Sequence, residues 1–171
     1  MRFLNRKWAS GQYDELRAGN YYCVYLRHVQ DIADDLPDEL RAFAMLTHGH
    51  AASGATIWSA RLRDREQVLS LRLLLQDSKG KKWLLRLRYL DVDVELLERG
   101  LLARLCRDPE TRCLTDEVDL APEGRVEHRI LFAPDGEIAI RFRGFDFVAE
   151  PAKGRQPLPR NRFAVRSSGE E

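Results

Sequence analysis

The chain has 171 residues and a net charge of +1, with 44% hydrophobic and 32% charged residues. Such a length predicts one domain with a substantial core, and the near-zero charge argues against a dedicated nucleic-acid binder, which normally carries a basic excess. No stretch has the roughly 20 apolar residues of a membrane span, and the opening residues lack the apolar run of a signal peptide. We therefore expect a cytoplasmic protein without membrane association.

The cysteines and the sequence motifs give no sign of catalysis. Cys23, Cys106 and Cys113 are odd in number, and their spacing fits no common zinc or redox motif. Free thiols in a reducing compartment are the simplest interpretation. The chain has no Gly-x-Ser-x-Gly, and "SKGKK" lacks the spacing of a phosphate-binding loop. We therefore expect no cofactor and favour a protein that is not an enzyme.

The N-terminal third has the apolar periodicity of helices. Residues 1–12 form an arm or a single helical turn that places Phe3, Leu4 and Trp8 on the body. Residues 13–35 predict a helix whose apolar stripe recurs at three- and four-residue steps, with a break near Gly19-Asn20. Its stripe consists of Leu16, Tyr22, Leu26, Val29 and Ile32. A second helix starts near Pro37, and its predicted buried residues are Leu40, Phe43 and Ala44.

The period then changes from nearly four to two, which indicates strands. "ATIWSARLRD", "EQVLSLRLLLQD" and "WLLRLRYLDVDV" predict a meander of three strands. Residues 93–108 predict one helix interrupted at Gly100 or two short helices. "TRCLTDEVDLA", "RVEHRILF" and "EIAIRFRGFDFVAE" predict three more strands, the last two joined at Pro-Asp-Gly. The alternation slips beside Gly144, where we expect either a bulge at Arg143-Gly144 or burial of both faces of the strand end.

These elements predict an α+β fold. N-terminal helices should pack on a mainly antiparallel, curved sheet of about six strands, with a helical insertion after the third strand. Residues 1–150 would form this single domain. Residues 151–171 are rich in proline, glycine, serine and basic side chains, and we expect an extended basic C-terminal tail.

Arginines recur on the polar side of the predicted strands. If neighbouring strands pair, several of them share one sheet face, and that face could bind an acidic protein surface or phosphates through bidentate guanidinium contacts. The simpler interpretation is a solvated sheet face whose charges are balanced by nearby Glu127, Glu137, Glu66 and Asp77. The candidate binding residues are Arg72, Arg86, Arg88, Arg129, Arg141 and Arg143, with Arg61 on the first strand.

A metal site is a second hypothesis. His48 and His50 lie two residues apart in "THGH", and imidazoles bind zinc and other divalent metals. A site would need a further ligand such as His128 or Cys106, so a polar connector between helix and strand is the favoured interpretation of this loop. In "LDVDVE", alternation places acidic side chains on one side of a strand end, where they could hold a cation or begin a helix.

Several segments together resemble a known class of proteins. "FLNRKWASG", "LPDELRAF", "DPETRCLTDEVDL" and "EHRILFAPDGEIAIRFRGFDF" are similar to small uncharacterised bacterial proteins of the domain-of-unknown-function kind. Some of these are similar to immunity proteins that neutralise polymorphic toxins. Many such relatives read Leu-His-Asp-Ala in the loop before the first strand, whereas "THGHAA" here has no aspartate. The resemblance carries no established activity and implies no catalytic residue.

Three functions stay open at this point. The leading hypothesis is a non-enzymatic binding or immunity-like protein that acts on a protein partner through the arginine-rich sheet face. The second is a small-molecule or metal-dependent site in the concavity of the sheet. The third is a homodimer-forming structural module that pairs through a sheet edge or the tail.

Overall fold

The computed structural model describes residues 2–45, 52–77, 79–152 and 163–166, which contain four α-helices and eight β-strands. The helices are α1 (Arg6–Ala9), α2 (Glu15–Asp31), α3 (Asp38–Met45) and α4 (Arg99–Arg107). The strands are β1 (Thr56–Arg63), β2 (Val68–Gln76), β3 (Lys82–Leu90), β4 (Arg112–Ala121), β5 (Arg125–Ala133), β6 (Glu137–Phe142), β7 (Gly144–Pro151) and β8 (Phe163–Arg166). The predicted α+β class, with its N-terminal helices and a helix after the third strand, is confirmed.

The strands divide between two sheets rather than forming the single sheet that we expected. One sheet has the order β7-β3-β2-β1-β8 and the other the order β4-β5-β6. Neighbouring strands are antiparallel, except that β8 runs parallel to β1. The slip in alternation beside Gly144 marks the place where the chain leaves β6 and begins β7 in the other sheet. A Cβ on Gly144 would come within 3.1 Å of the Leu90 Cβ, so Leu90 would have to shift slightly to admit a side chain at this crossing.

The N-terminal arm is fixed to β4 by one carboxylate. Glu117 accepts hydrogen bonds from the backbone N–H groups of Arg2 and Phe3, both at 2.7 Å, and from that of Leu4. Phe3 and Leu4 are buried in the core, as predicted. The arm therefore covers part of β4, which is an edge strand of the three-stranded sheet.

Helix α2 is continuous through Gly19-Asn20, and of the predicted stripe Val29 and Ile32 are buried whereas Leu16 is not. Its N-cap is Asp14, whose side chain accepts a hydrogen bond from the Arg17 N–H. Leu16 is 78% exposed, whereas Tyr25 is almost fully buried. The Tyr25 hydroxyl accepts a hydrogen bond from the Val118 N–H of β4, which explains why this side of the helix turns inward.

The core lies between the two sheets and beneath the helices. In α3 the predicted Leu40, Phe43 and Ala44 are buried. Phe43 packs against Phe145 and Phe147 of β7, with ring centroids 5.5 Å apart in both pairs. Helix α4 packs against β1 and β8, at the opposite edge of the same sheet from β7. It is shorter than predicted, because residues 94–97 form a turn and a bend before it.

Part of the segment predicted as a tail forms a strand. Phe163 to Arg166 pair with Ala60 to Arg63 of β1 and close one edge of the five-stranded sheet.

None of the helices in the described part of the chain has the length and apolar character needed to traverse a bilayer.

Candidate functional site

The structure separates the six candidate arginines into three places. Arg72 and Arg86, with Arg88, lie on the five-stranded sheet, on β2 and β3. Arg129 and Arg141 lie on β5 and β6 of the other sheet. Arg143 lies at the crossing between the sheets. A single face shared by all six is therefore not formed, because the strands that carry them pair in two groups.

We call Arg72, Arg86 and Arg88 the outer arginine patch. The residues between them, including Leu71, Leu73 and Leu87, are buried in the core. Because side chains alternate along a strand, the three arginines point to the opposite, solvent-facing side of the sheet. Arg72 lies directly opposite Arg86 in the β2–β3 register.

The arginines of the patch differ in their partners. Arg86 Nη2 lies 2.7 Å from Glu150 Oε2, and Arg88 Nη1 lies 3.5 Å from Asp146 Oδ2, both acids belonging to β7. No acidic side chain in the described ranges pairs with Arg72. Like charges directly opposite each other in a sheet are destabilising, so the guanidinium groups of Arg72 and Arg86 repel each other. The ion pair of Arg86 with Glu150 offsets only part of this repulsion.

The patch surrounds a shallow depression of about 350 Å³. Its lining includes Ser70, Arg72, Arg86, Arg88, Asp146 and Val148. Val148 is opposite Arg86 in the β3–β7 register and is 51% exposed. On the far side, Arg61 of β1 lies opposite Ser70 and likewise has no acidic partner among the described residues. The depression can thus offer guanidinium groups and one apolar side chain to the same ligand.

Arg129 and Arg141 serve an internal carboxylate instead. Glu127 is buried, and its two oxygens accept hydrogen bonds from Nε of Arg129 and, at 2.6 Å, from Nε of Arg141. Burial by itself would raise the pKa of the Glu127 carboxyl, but the hydrogen bonds and charges of Arg141 and Arg129 outweigh it and hold the pKa below its ordinary value. The predicted counter-charge role of Glu127 is confirmed.

Arg143 is also held by its surroundings. Its Nη1 lies 2.9 Å from Asp91 Oδ2, and its Nη2 donates to the Glu123 carbonyl. Arg125 contacts Asp91 from the other side. Asp91 is therefore engaged by two arginines, and Asp93 accepts a hydrogen bond from the Leu96 N–H in the turn that follows.

A buried polar network joins the two sheets. The Tyr89 hydroxyl is 2.8 Å from His128 Nδ1, and His128 Nε2 is 3.1 Å from Asp116 Oδ2. Burial, reinforced by the charge of Asp116, raises the pKa of Tyr89 well above its ordinary value, so the phenol stays protonated. The order hydroxyl, imidazole, carboxylate is the one that activates nucleophiles. Here Tyr89 and His128 have no exposed surface, so no substrate reaches them and the role is structural.

The alternation of β3 and β5 contains a signal for this network that was not recognised in the sequence. Tyr89 shares the buried parity of β3 with Leu85 and Leu87, and His128 shares that of β5 with Ile130. A polar residue at a buried position of an alternating strand requires a partner. The partners come from other strands, so their identity depends on a pairing that the alternation does not reveal.

The metal hypothesis is tested only in part. His48 and His50 lie outside the described residues, so their role stays a prediction. His128, the proposed third ligand, is committed to Tyr89 and Asp116. Within residues 2–45, 52–77, 79–152 and 163–166, no three His, Cys, Asp or Glu side chains converge as a metal site would require.

No family model matches the chain, and neither the curated proteins nor the solved structures give a significant match.

Proposed function

We propose that the protein is a non-enzymatic, immunity-like binding protein that uses the outer arginine patch to bind an acidic protein surface. The observation that carries this proposal is the pair formed by Arg72 and Arg86, two cations directly opposite each other on an exposed face. Of these two arginines, only Arg86 has an acidic partner among the described residues. A partner's carboxylate between the two guanidinium groups would remove their repulsion and form charge-assisted hydrogen bonds.

The charge of the chain favours a protein partner over nucleic acid. Its net charge is +1, and β7 places Asp146 and Glu150 beside the patch. A polyanionic backbone would meet these two carboxylates together with the arginines, whereas a protein surface can place its own acids selectively. Val148 adds an exposed apolar contact of the kind found within protein interfaces.

Arg72→Glu is the sharpest test, because Arg72 has no ion pair within the described structure to lose. The matched control is Arg27→Glu on α2, an exposed arginine for which the described residues likewise give no ion pair. Each immobilised protein is exposed to lysate of the native host, and the captured protein is identified, purified and titrated against all three baits.

We expect Arg72→Glu to lower the affinity for the purified partner by at least about tenfold, as reversal of a central interface charge does. Arg27→Glu should leave this affinity unchanged. Circular dichroism and thermal melting confirm that each bait is folded. Equal affinity of the partner for the wild type and Arg72→Glu would contradict the proposal.

A further inference from the structure

We infer that Asp146 and Glu150 act as internal competitors for the outer arginine patch, so that an extended acidic segment of the partner displaces them from Arg88 and Arg86. This inference rests on the proposed function, and it specifies both the ligand class and how the free protein restrains binding. Arg72, which has no competitor among the described residues, would make the first contact.

The two ion pairs are placed to exchange with a ligand. The side chains of Arg86 and Glu150 are 45% and 42% exposed, and those of Arg88 and Asp146 are 54% and 50% exposed. Ion pairs that are so open to solvent contribute little to stability, because water and salt screen them. The acids of β7 can therefore move aside at small cost, yet they lower the affinity of the patch for any outside anion.

The spacing of the patch suits an extended acidic chain. Arg86 and Arg88 are two residues apart on one strand, which places their Cα atoms about 6.6 Å apart. Carboxylates at alternate positions of an extended peptide have the same spacing, so one such segment along β3 could meet both arginines. Val148 lies between Asp146 and Glu150 on the same side of β7 and offers the segment an apolar contact.

Substitution of the two competitors tests the inference directly. Asp146→Asn/Glu150→Gln removes both carboxylates while keeping similar shapes. The matched control is Asp34→Asn/Asp38→Asn, which removes two exposed acids that pair with Arg41, away from the patch. Both double variants raise the net charge by the same amount. The probe is fluorescein-labelled hexaglutamate, and its binding is followed by fluorescence anisotropy at low ionic strength.

We expect Asp146→Asn/Glu150→Gln to bind hexaglutamate about threefold to fivefold more tightly than the wild type, the gain that loss of exposed ion pairs allows. The control should change the affinity much less, and Arg72→Glu added to the first variant should abolish its gain. Circular dichroism verifies that every variant is folded.

The two proposals fail in different ways. If Arg72→Glu abolishes binding of the partner but Asp146→Asn/Glu150→Gln gains no more affinity for hexaglutamate than the control does, the inference is overturned and the proposed function stands. If Arg72→Glu changes neither hexaglutamate binding nor capture of the partner, both are overturned. If hexathymidylate gains as much affinity as hexaglutamate, the selectivity for carboxylates is refuted.

Discussion

The Tyr89 hydroxyl lies 2.8 Å from Nδ1 of His128, and this hydrogen bond joins β3 of the five-stranded sheet to β5 of the three-stranded sheet. His128 continues the connection to Asp116 of β4. Because the network is buried, each lost partner leaves a polar group without water to replace it. The network therefore favours one alignment of the two sheets over others that an apolar core would also accept.

Removal of the Tyr89 hydroxyl should show how much this hydrogen bond contributes to the stability of the fold. Tyr89→Phe keeps the ring and leaves His128 Nδ1 unsatisfied, so we expect the free energy of unfolding to fall by about 1–3 kcal/mol. Urea denaturation measures it. Tyr13→Phe is the control, since its ring stacks on Tyr21 and the described residues give its hydroxyl no partner. Equal stability of both variants would show that the link contributes nothing.

The arginine-bound Glu127 predicts a specific acid sensitivity. Its pKa lies below the ordinary value of 4.5 in the folded chain, and unfolding restores that value. As the pH falls below about 4.5, the unfolded chain takes up the proton first, so the stabilisation present at higher pH is lost as the pH falls through the folded pKa. Glu127→Gln should lose about 1–2 kcal/mol of stability at neutral pH and show a shallower decline in acid.

Urea denaturation across this pH range tests the expectation. Glu95→Gln serves as the control, because Glu95 is exposed and has no described ion pair. Its stability should follow that of the wild type at every pH. A Glu127→Gln profile parallel to the wild type would show that other carboxylates account for the acid response.

The opposed charges of Arg72 and Arg86 predict a variant that gains stability. Arg72→Thr removes the repulsion and introduces a residue that favours strands, so we expect a gain of about 0.2–1 kcal/mol in the free energy of unfolding. Arg88→Thr should show less gain, because it also breaks the ion pair with Asp146. Thermal melting compares the two, and a destabilised Arg72→Thr would mean that Arg72 has an unrecognised structural role.

The three cysteines should react in two classes. Cys23 is exposed, whereas Cys106 and Cys113 are buried. Burial raises the pKa of the Cys113 thiol, and the negative charge of Asp116 raises it further. Since the thiolate is the reactive form, iodoacetamide should add once to the folded protein and three times after unfolding. Mass spectrometry counts the adducts. Cys23→Ser should remove the fast adduct, and rapid labelling of Cys113 would contradict its burial.

The sequence contains enough information for the local hairpins. In β2 and β3 one side chain in two is a buried leucine or tyrosine, and Gly80 lies in the turn between them with a φ of +79°. β6 shows the same alternation after Gly136, with Ile138, Ile140 and Phe142 buried. Strands joined by short turns pair with each other, so periodicity and turn residues are sufficient to predict them.

The division into two sheets could not be read in the same way. β7 pairs with β3, which precedes it by more than 50 residues, and no local pattern selects that partner. β4 hides its period, because Thr115, Asp116 and Glu117 are buried in succession. For the site, alternation predicted which arginines face away from the core. Whether these arginines share one face depends on which strands belong to the same sheet. Arg86 on β3 and Arg141 on β6 belong to different sheets. Cytoplasmic location and self-association stay predictions.

The order in which the strands are made has a consequence for biosynthesis. The β1–β2–β3 meander is synthesised before the strands that flank it, because β7 and β8 are the last two strands in the described ranges. Until they arrive, both edges of the meander present unpaired backbone groups, and such edges attract other chains. β7 and β8 therefore protect the two edges of the meander, and a nascent chain interrupted before Phe163 would leave the β1 edge unpaired.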